Sequence, residues 1–244
     1  MEPKAAIRSI PPEERLIVAV DVPGYDDALD LVDRLGDAVH FYKLGLELAM
    51  SGRYFELVDA LAARGKKVFA DLKFFDIPAT VAAAVRQLAK RGVEFATIHG
   101  NESMIRAACA EKGPLKILAV TALTSIDADD FRDLGIDLEI EPLVLSRTRR
   151  VVALGCDGVI SSGREARALR EAVGSAFLIV SPGIRPIERD DDQKRVVTPR
   201  EAFENGADYI VVGRPIRDAA DPRAAALEIQ STIGAIFGPG AGDA

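Results

Sequence analysis

The chain has 244 residues, 48% of them apolar and 28% charged, with only two cysteines. This is the composition of a globular fold with a sizeable core, and it excludes collagen-like, disordered and disulfide-framework classes. A formal net charge of −7 disfavours wrapping long nucleic acid, while leaving room for a locally basic pocket that takes a small anion.

In chain order, the opening stretch MEPKAAIRSIPPEERLIVAV mixes acids and prolines into its polar part and has no sustained apolar core of a signal peptide. Nowhere do eighteen apolar residues run together, so neither secretion nor a membrane span is expected. Cys109 and Cys156 lie in otherwise apolar segments, which points to a reducing, cytoplasmic setting. With His40 and His99 as the only imidazoles, a zinc cluster has little material.

Eight short runs of β-forming residues then alternate with stretches of helical period. The strands are expected at Leu16 to Asp21, Val39 to Lys43, Lys67 to Asp71, Glu94 to Ile98, Lys116 to Val120, Asp157 to Ile160, Phe177 to Val180 and Tyr209 to Val212. Between them Ala28, Leu29, Leu31, Val32 and Leu35 line one helix face, and Tyr54, Phe55, Leu57, Val58 and Leu61 another. Gly36, Gly65, Gly92, Gly113 and Gly174 stand where helices should stop. Strands this apolar are buried on both faces by crossover helices. Eight βα units in this length favour a closed (β/α)8 TIM barrel over an open doubly wound sheet. That barrel would form one domain over residues 1–244 with a short N-terminal extension. The longest gap, TSIDADDFRDLGIDLEIEPLV after strand five, has room for a short helix and a mobile lid, or is a spacer.

Charges gather at the C-terminal ends of strands, the end where barrel enzymes carry their chemistry: Asp21 on strand one, Lys43 on strand two, and DLKFFD on strand three. Asp71 and Lys73 are two residues apart, so strand alternation points them to one face. Asp76 falls just before Pro78, where its plain role is to cap the following helix. Two carboxylates near one lysine can orient the ammonium as a proton donor and repel a substrate carboxylate. If that repulsion falls as the carboxylate departs as carbon dioxide, the transition state gains over the ground state. The competing interpretation is an ordinary salt-bridge network on a barrel rim.

After strand seven comes SPGIRPIERDDDQKR and after strand eight VVGRPI, the two loops that usually hold phosphate in this architecture. Pro182 and Gly183 shape the first and Gly213 the second; Arg185 and Arg214 supply forked donors, and Gln193 a neutral one. Asp190, Asp191 and Asp192 read as a solvated acidic face. Thr124 and Ser125 after strand five either read a heterocycle edge or cap a turn. His99 after strand four is a candidate bridge to Asp71 or Lys73.

These residues together resemble the orotidine 5'-monophosphate decarboxylase family across nearly the whole chain. The match rests on Asp71-Leu72-Lys73-Phe74-Phe75-Asp76-Ile77-Pro78, joined by Lys43 with Gly45, Leu123-Thr124-Ser125, Pro182-Gly183-Ile184-Arg185-Pro186 and Gly213-Arg214-Pro215. The resemblance implies conversion of orotidine 5'-monophosphate to uridine 5'-monophosphate and carbon dioxide with no metal or organic cofactor. Asp71 would stress the substrate carboxylate and Lys73 protonate pyrimidine C6. Lys43 would complete the charged array and, with Asp21, contact the ribose. Ser125 would meet the pyrimidine edge, and Gln193, Arg214 and the Gly213 backbone the phosphate. Asp76 and Thr80 would reach the other subunit's site, which implies a homodimer. IERDDD between Pro186 and Gln193 departs from the family's glycine-containing stretch. One alternative is a related magnesium-dependent sugar-phosphate decarboxylase or aldolase-like enzyme, with Asp71 and Asp76 as hard-cation ligands. Another is a catalytically silent nucleotide-binding module.

Overall fold

The computed structural model describes residues 10–125, 128–133, 135, 137, 139–185 and 196–238. Eight parallel strands close on themselves in sequence order: β1 (Leu16–Val20), β2 (Phe41–Leu44), β3 (Lys67–Phe74), β4 (Phe95–Ile98), β5 (Lys116–Val120), β6 (Gly158–Ile160), β7 (Leu178–Ser181) and β8 (Tyr209–Val212), with β8 pairing back onto β1. The expected (β/α)8 barrel is therefore the observed one, with every strand within a few residues of its expected place.

The outer layer comprises α1 (Tyr25–Leu35), α2 (Leu46–Met50), α3 (Tyr54–Ala63), α4 (Pro78–Leu88), α5 (Glu102–Glu111), α6 (Ala128–Asp133), α7 (Ile140–Ala153), α8 (Ala166–Val173), α9 (Pro199–Glu204), α10 (Arg214–Arg217) and α11 (Pro222–Phe237). The short α6 occupies the long gap after β5. Phe55, expected on the packed face of α3, is instead 41% exposed, because it stands about 100° around the helix from Tyr54. The five glycines expected to stop helices all have positive φ, between 52° and 92°. No helix among the described residues is long and apolar enough to cross a membrane.

Strand alternation sorts the core into two shells. Val18, Tyr42, Ala70, Ala96 and Ile179 face outward and pack with the helices in one cluster. Ile17, Ala19, Phe41, Phe69, Phe95, Leu118, Val180 and Tyr209 point inward and fill the barrel, with Phe41, Phe95 and Tyr209 meeting tilted or edge-to-face at ring-centroid distances of 5.0–5.9 Å. This plug has a direct bearing on function. The next inward position along β1, β2, β3 and β4 is Asp21, Lys43, Asp71 and Thr97 respectively, so polar groups begin where the apolar filling stops.

The opposite, N-terminal end of the barrel is tied by charge. Asp157, just before β6, accepts hydrogen bonds from Lys112 Nζ (2.5 Å) and from the Ile117 amide of β5 (2.8 Å). Asp208, just before β8, repeats the arrangement with Arg170 Nη2 (2.6 Å) and the Ile179 amide of β7 (2.8 Å). Each carboxylate satisfies a strand-end N–H and a cation together, which makes it a brace between neighbouring strands.

Candidate active site

β3 is where the structure departs from simple alternation. It runs to Phe74 rather than ending at Asp71, and its register with β4 shifts between Ala70 and Phe74: four residues on β3 span two on β4. Within this bulge Lys73 takes φ +48°, making it the one non-glycine residue with positive φ among those described. Asp71 and Lys73 do meet, as their spacing predicted, but through a left-handed backbone turn and not through regular pleating. A non-glycine residue in that region costs about 1 kcal/mol or more, and such conformations concentrate at functional sites.

Asp71 stands between two ammonium groups. Its Oδ1 accepts from Lys73 Nζ at 2.8 Å, and its Oδ2 lies 3.5 Å from Lys43 Nζ. Lys43 Nζ also donates to Asp21 Oδ1 at 3.0 Å, so charges alternate in the order Asp21, Lys43, Asp71, Lys73. Burial pushes the Asp71 carboxyl up, but the charges of Lys43 and Lys73 and the hydrogen bonds from Lys73 and Thr97 outweigh it and hold the pKa below the usual carboxylate value. Asp71 is therefore an ionised carboxylate in a mostly enclosed place. Gly45 leaves room for this array: a Cβ there would come within 3.3 Å of Asp21 Oδ1 and 3.4 Å of Lys43 Nζ.

Thr97 on β4, which the motif reading passes over, completes the group. Its Oγ1 donates to Asp71 Oδ1 (2.9 Å) and accepts from the Lys73 amide (2.9 Å). His99 does not take the expected bridging role, because among the described residues its imidazole makes no hydrogen bond to Asp71 or Lys73. It packs edge-on against Phe75 with ring centroids 6.4 Å apart. Burial, then the charges of Arg147 and Lys73, lower its pKa, with Asp71 opposing.

The array opens into a cavity of about 460 Å³ whose floor includes Ala19, Phe69, Val120 and Val211. Asp21, Lys43, Asp71 and Lys73 line one side. Thr124 and Ser125 line it beyond β5, Pro182, Gly183 and the buried Arg185 beyond β7, and Gly213 and Arg214 beyond β8. Apolar floor, hydroxyl edge, ammonium pair and three arginines converge on one small-molecule-sized space, the pattern of a built ligand site. Gln193 lies outside the described residues.

Asp76 and Thr80 do not line this cavity; both are exposed. Asp76 Oδ1 accepts from the Ile77 amide at 2.6 Å, while Ile77 itself holds the N-cap position ahead of Pro78. Arg217, also absent from the sequence reading, does line the cavity and bonds the Asp21 carbonyl. It sits three residues beyond Arg214 on the same helix, and that spacing is the signal that could have found it. Among the described residues, no group of three or more His, Cys, Asp and Glu side chains is placed to hold a metal ion.

Comparison with known proteins agrees with this geometry. Residues 14–229 match the family model described as orotidine 5'-phosphate decarboxylase / HUMPS family. Orotidine 5'-phosphate decarboxylase of Methylococcus capsulatus is 59% identical over 235 residues, covering 96% of this chain and 97% of that protein. The enzyme of the same name from Xanthomonas oryzae pv. oryzae is 55% identical, covering 92% and 94%. Among solved structures, orotidine 5'-phosphate decarboxylase from Lactobacillus acidophilus superposes with a TM-score of 0.80 at 38% identity, covering 90% of this chain and 99% of that one.

Proposed function

The chain belongs to the orotidine 5'-phosphate decarboxylase / HUMPS family, and from that premise we propose how its residues divide the work. Its reaction is the decarboxylation of orotidine 5'-monophosphate to uridine 5'-monophosphate and carbon dioxide. Arg214 and the Gly213 backbone, with Arg185, Pro182 and Gln193 from the loop after β7, hold the phosphate. Asp21 and Lys43 hold the ribose, and Thr124 and Ser125 meet the pyrimidine edge across the apolar floor.

This pose brings the substrate carboxylate against Asp71. Two carboxylates repel, and the repulsion is released as the C6–carboxylate bond breaks, leaving its electron pair on C6 and expelling neutral carbon dioxide. Lys73 Nζ passes a proton to C6 to give uridine 5'-monophosphate, and the neutral amine regains a proton from water. Lys43 and Lys73 stabilise the negative charge that develops at C6 in a site lined by apolar side chains, where fixed charges act strongly. No organic cofactor or metal enters this scheme.

The observation that carries the scheme is the ionised Asp71 clasped by both ammonium groups at the cavity wall. Lys73→Ala tests it. Turnover of chelator-treated protein on orotidine 5'-monophosphate should fall by about 10²- to 10⁴-fold while uridine 5'-monophosphate still binds. Near-parent turnover by a folded mutant would remove Lys73 as the acid. Strict dependence on added magnesium would favour the metal-assisted alternative.

The working unit is a homodimer in this proposal, with Asp76 and Thr80 completing the other subunit's site. Both residues are exposed away from their own cavity. The segments after the adjacent strands β2 and β3 also expose Leu46, Met50, Phe75 and Ile77 (57–81% exposed), an apolar surface suited to a second copy. The scheme further takes the chain as one barrel domain acting in the cytoplasm, where Cys109 and Cys156, unbridged with sulfurs 3.6 Å apart, would stay reduced. No nucleic acid or membrane partner is proposed.

A further inference from the structure

Two arginines of the short helix α10 line the cavity, and their surroundings differ. Arg214 opens the helix beside Gly213. Arg217 has all three guanidinium nitrogens engaged by the protein. Nη1 donates to the Asp21 carbonyl at 2.7 Å, while Nε and Nη2 donate to the two carboxylate oxygens of Asp218 at 2.6 and 3.0 Å. Three of its five N–H donors are thus committed to the protein and Asp218 balances its charge, which weakens its pull on a phosphate dianion.

Asp21 needs such a partner. It lies one residue beyond the end of β1, so its peptide is outside the strand ladder. Its side chain is 45% exposed, so packing alone does not hold it. The carboxylate lies near two glycines: a Cβ at Gly45 would stand 3.3 Å from Oδ1, and one at Gly213 would stand 3.8 Å from Oδ2. That space accepts the carboxylate and Lys43 Nζ bonds its Oδ1, while the backbone sets the direction from which it reaches them. We propose that Arg217 is a positioning residue: by anchoring the Asp21 peptide to α10, it sets the direction in which the Asp21 carboxylate meets Lys43 and the ribose. Displacement of Asp21 would propagate through Lys43 to Asp71, since each contact in that series is a direct ion pair.

The inference rests on the assignment of Asp21 to the ribose, and its test separates the two. Compare Arg217→Ala, Asp21→Ala and the double variant on orotidine 5'-monophosphate and on orotidine, which lacks the phosphate. Arg217→Ala should lower kcat/KM about tenfold to a hundredfold, by similar factors on both substrates, as expected for losing a charge-assisted hydrogen bond that acts away from the phosphate. In the Asp21→Ala background the same change should cost less than about threefold, because the carboxylate that the anchored peptide aims has gone. Arg217→Lys, which keeps one donor, should recover part of the loss; with Arg217→Gln it supplies the same comparison if the alanine variant does not fold.

A loss confined to the phosphorylated substrate would make Arg217 a phosphate ligand and overturn the inference. So would losses that multiply in full in the double variant. If Asp21→Ala by itself leaves both substrates unaffected, the ribose assignment of Asp21 fails, and the positioning role falls with it.

Discussion

Thr97 Oγ1 and Lys73 Nζ both donate to the same oxygen of Asp71, at 2.9 and 2.8 Å, while the Lys73 amide donates to Thr97 Oγ1 at 2.9 Å. One hydroxyl thus orients the carboxylate and secures the left-handed turn that carries the ammonium. Thr97→Val keeps the shape and removes both bonds. The expected result is a kcat reduced about tenfold or more, with product affinity changed far less and Thr97→Ser close to the parent. Equal kinetics for valine and threonine would show that the β3 bulge holds without the hydroxyl.

Arg214→Ala should weaken recognition of the phosphate. KM on orotidine 5'-monophosphate should rise, and kcat should fall with it if phosphate binding supports the chemical step. The control is orotidine, on which the mutant and parent should differ little. An equally large handicap on both substrates would mean that Arg214 acts through folding or the base site.

A shared site can be tested by mixing two inactive proteins. Lys73→Ala and Asp76→Ala subunits, exchanged at random in equal amounts, should form heterodimers as half of the population, each with one intact site. Activity should recover to about one quarter of the parent per subunit. If verified heterodimers stay inactive although both chains fold and bind ligand, Asp76 acts within its own chain.

His99 gives a pH prediction. Its folded pKa lies below the ordinary 6.5, so the folded state binds fewer protons than the unfolded state in that range. The associated stability is present above pH 6.5 and is lost as pH falls through the folded value. Denaturant unfolding of the parent should therefore weaken between pH 7.5 and pH 5 by more than that of His99→Asn. Parallel curves for the two proteins would contradict the shift.

The barrel was legible in the sequence because apolar runs, helical stripes and stop glycines such as Gly36 and Gly174 agree with one another along the whole chain. Asp71, Lys73 and Lys43 were legible because charges at strand ends conflict with burial and need a reason. The β3 bulge was not: periodicity assumes regular pleating, and nothing in DLKFFD announces that Lys73 leaves it. Thr97 escaped notice because threonine is also an ordinary strand former, so FATI reads as structure alone. Asp76 has a sufficient local explanation as a turn residue, and only the family resemblance suggested a partner's site.

The braces at Asp157 and Asp208 sit at one pole of the barrel and the reacting groups at the other. Durability and catalysis are thereby written into different residues, with the aromatic plug of Phe41, Phe95 and Tyr209 insulating them. Engineering for heat tolerance has a natural address in the loops that precede the strands, where changes can accumulate without retuning the decarboxylation. The converse also holds: a barrel weakened at Asp208 should keep a normal turnover number for as long as it stays folded.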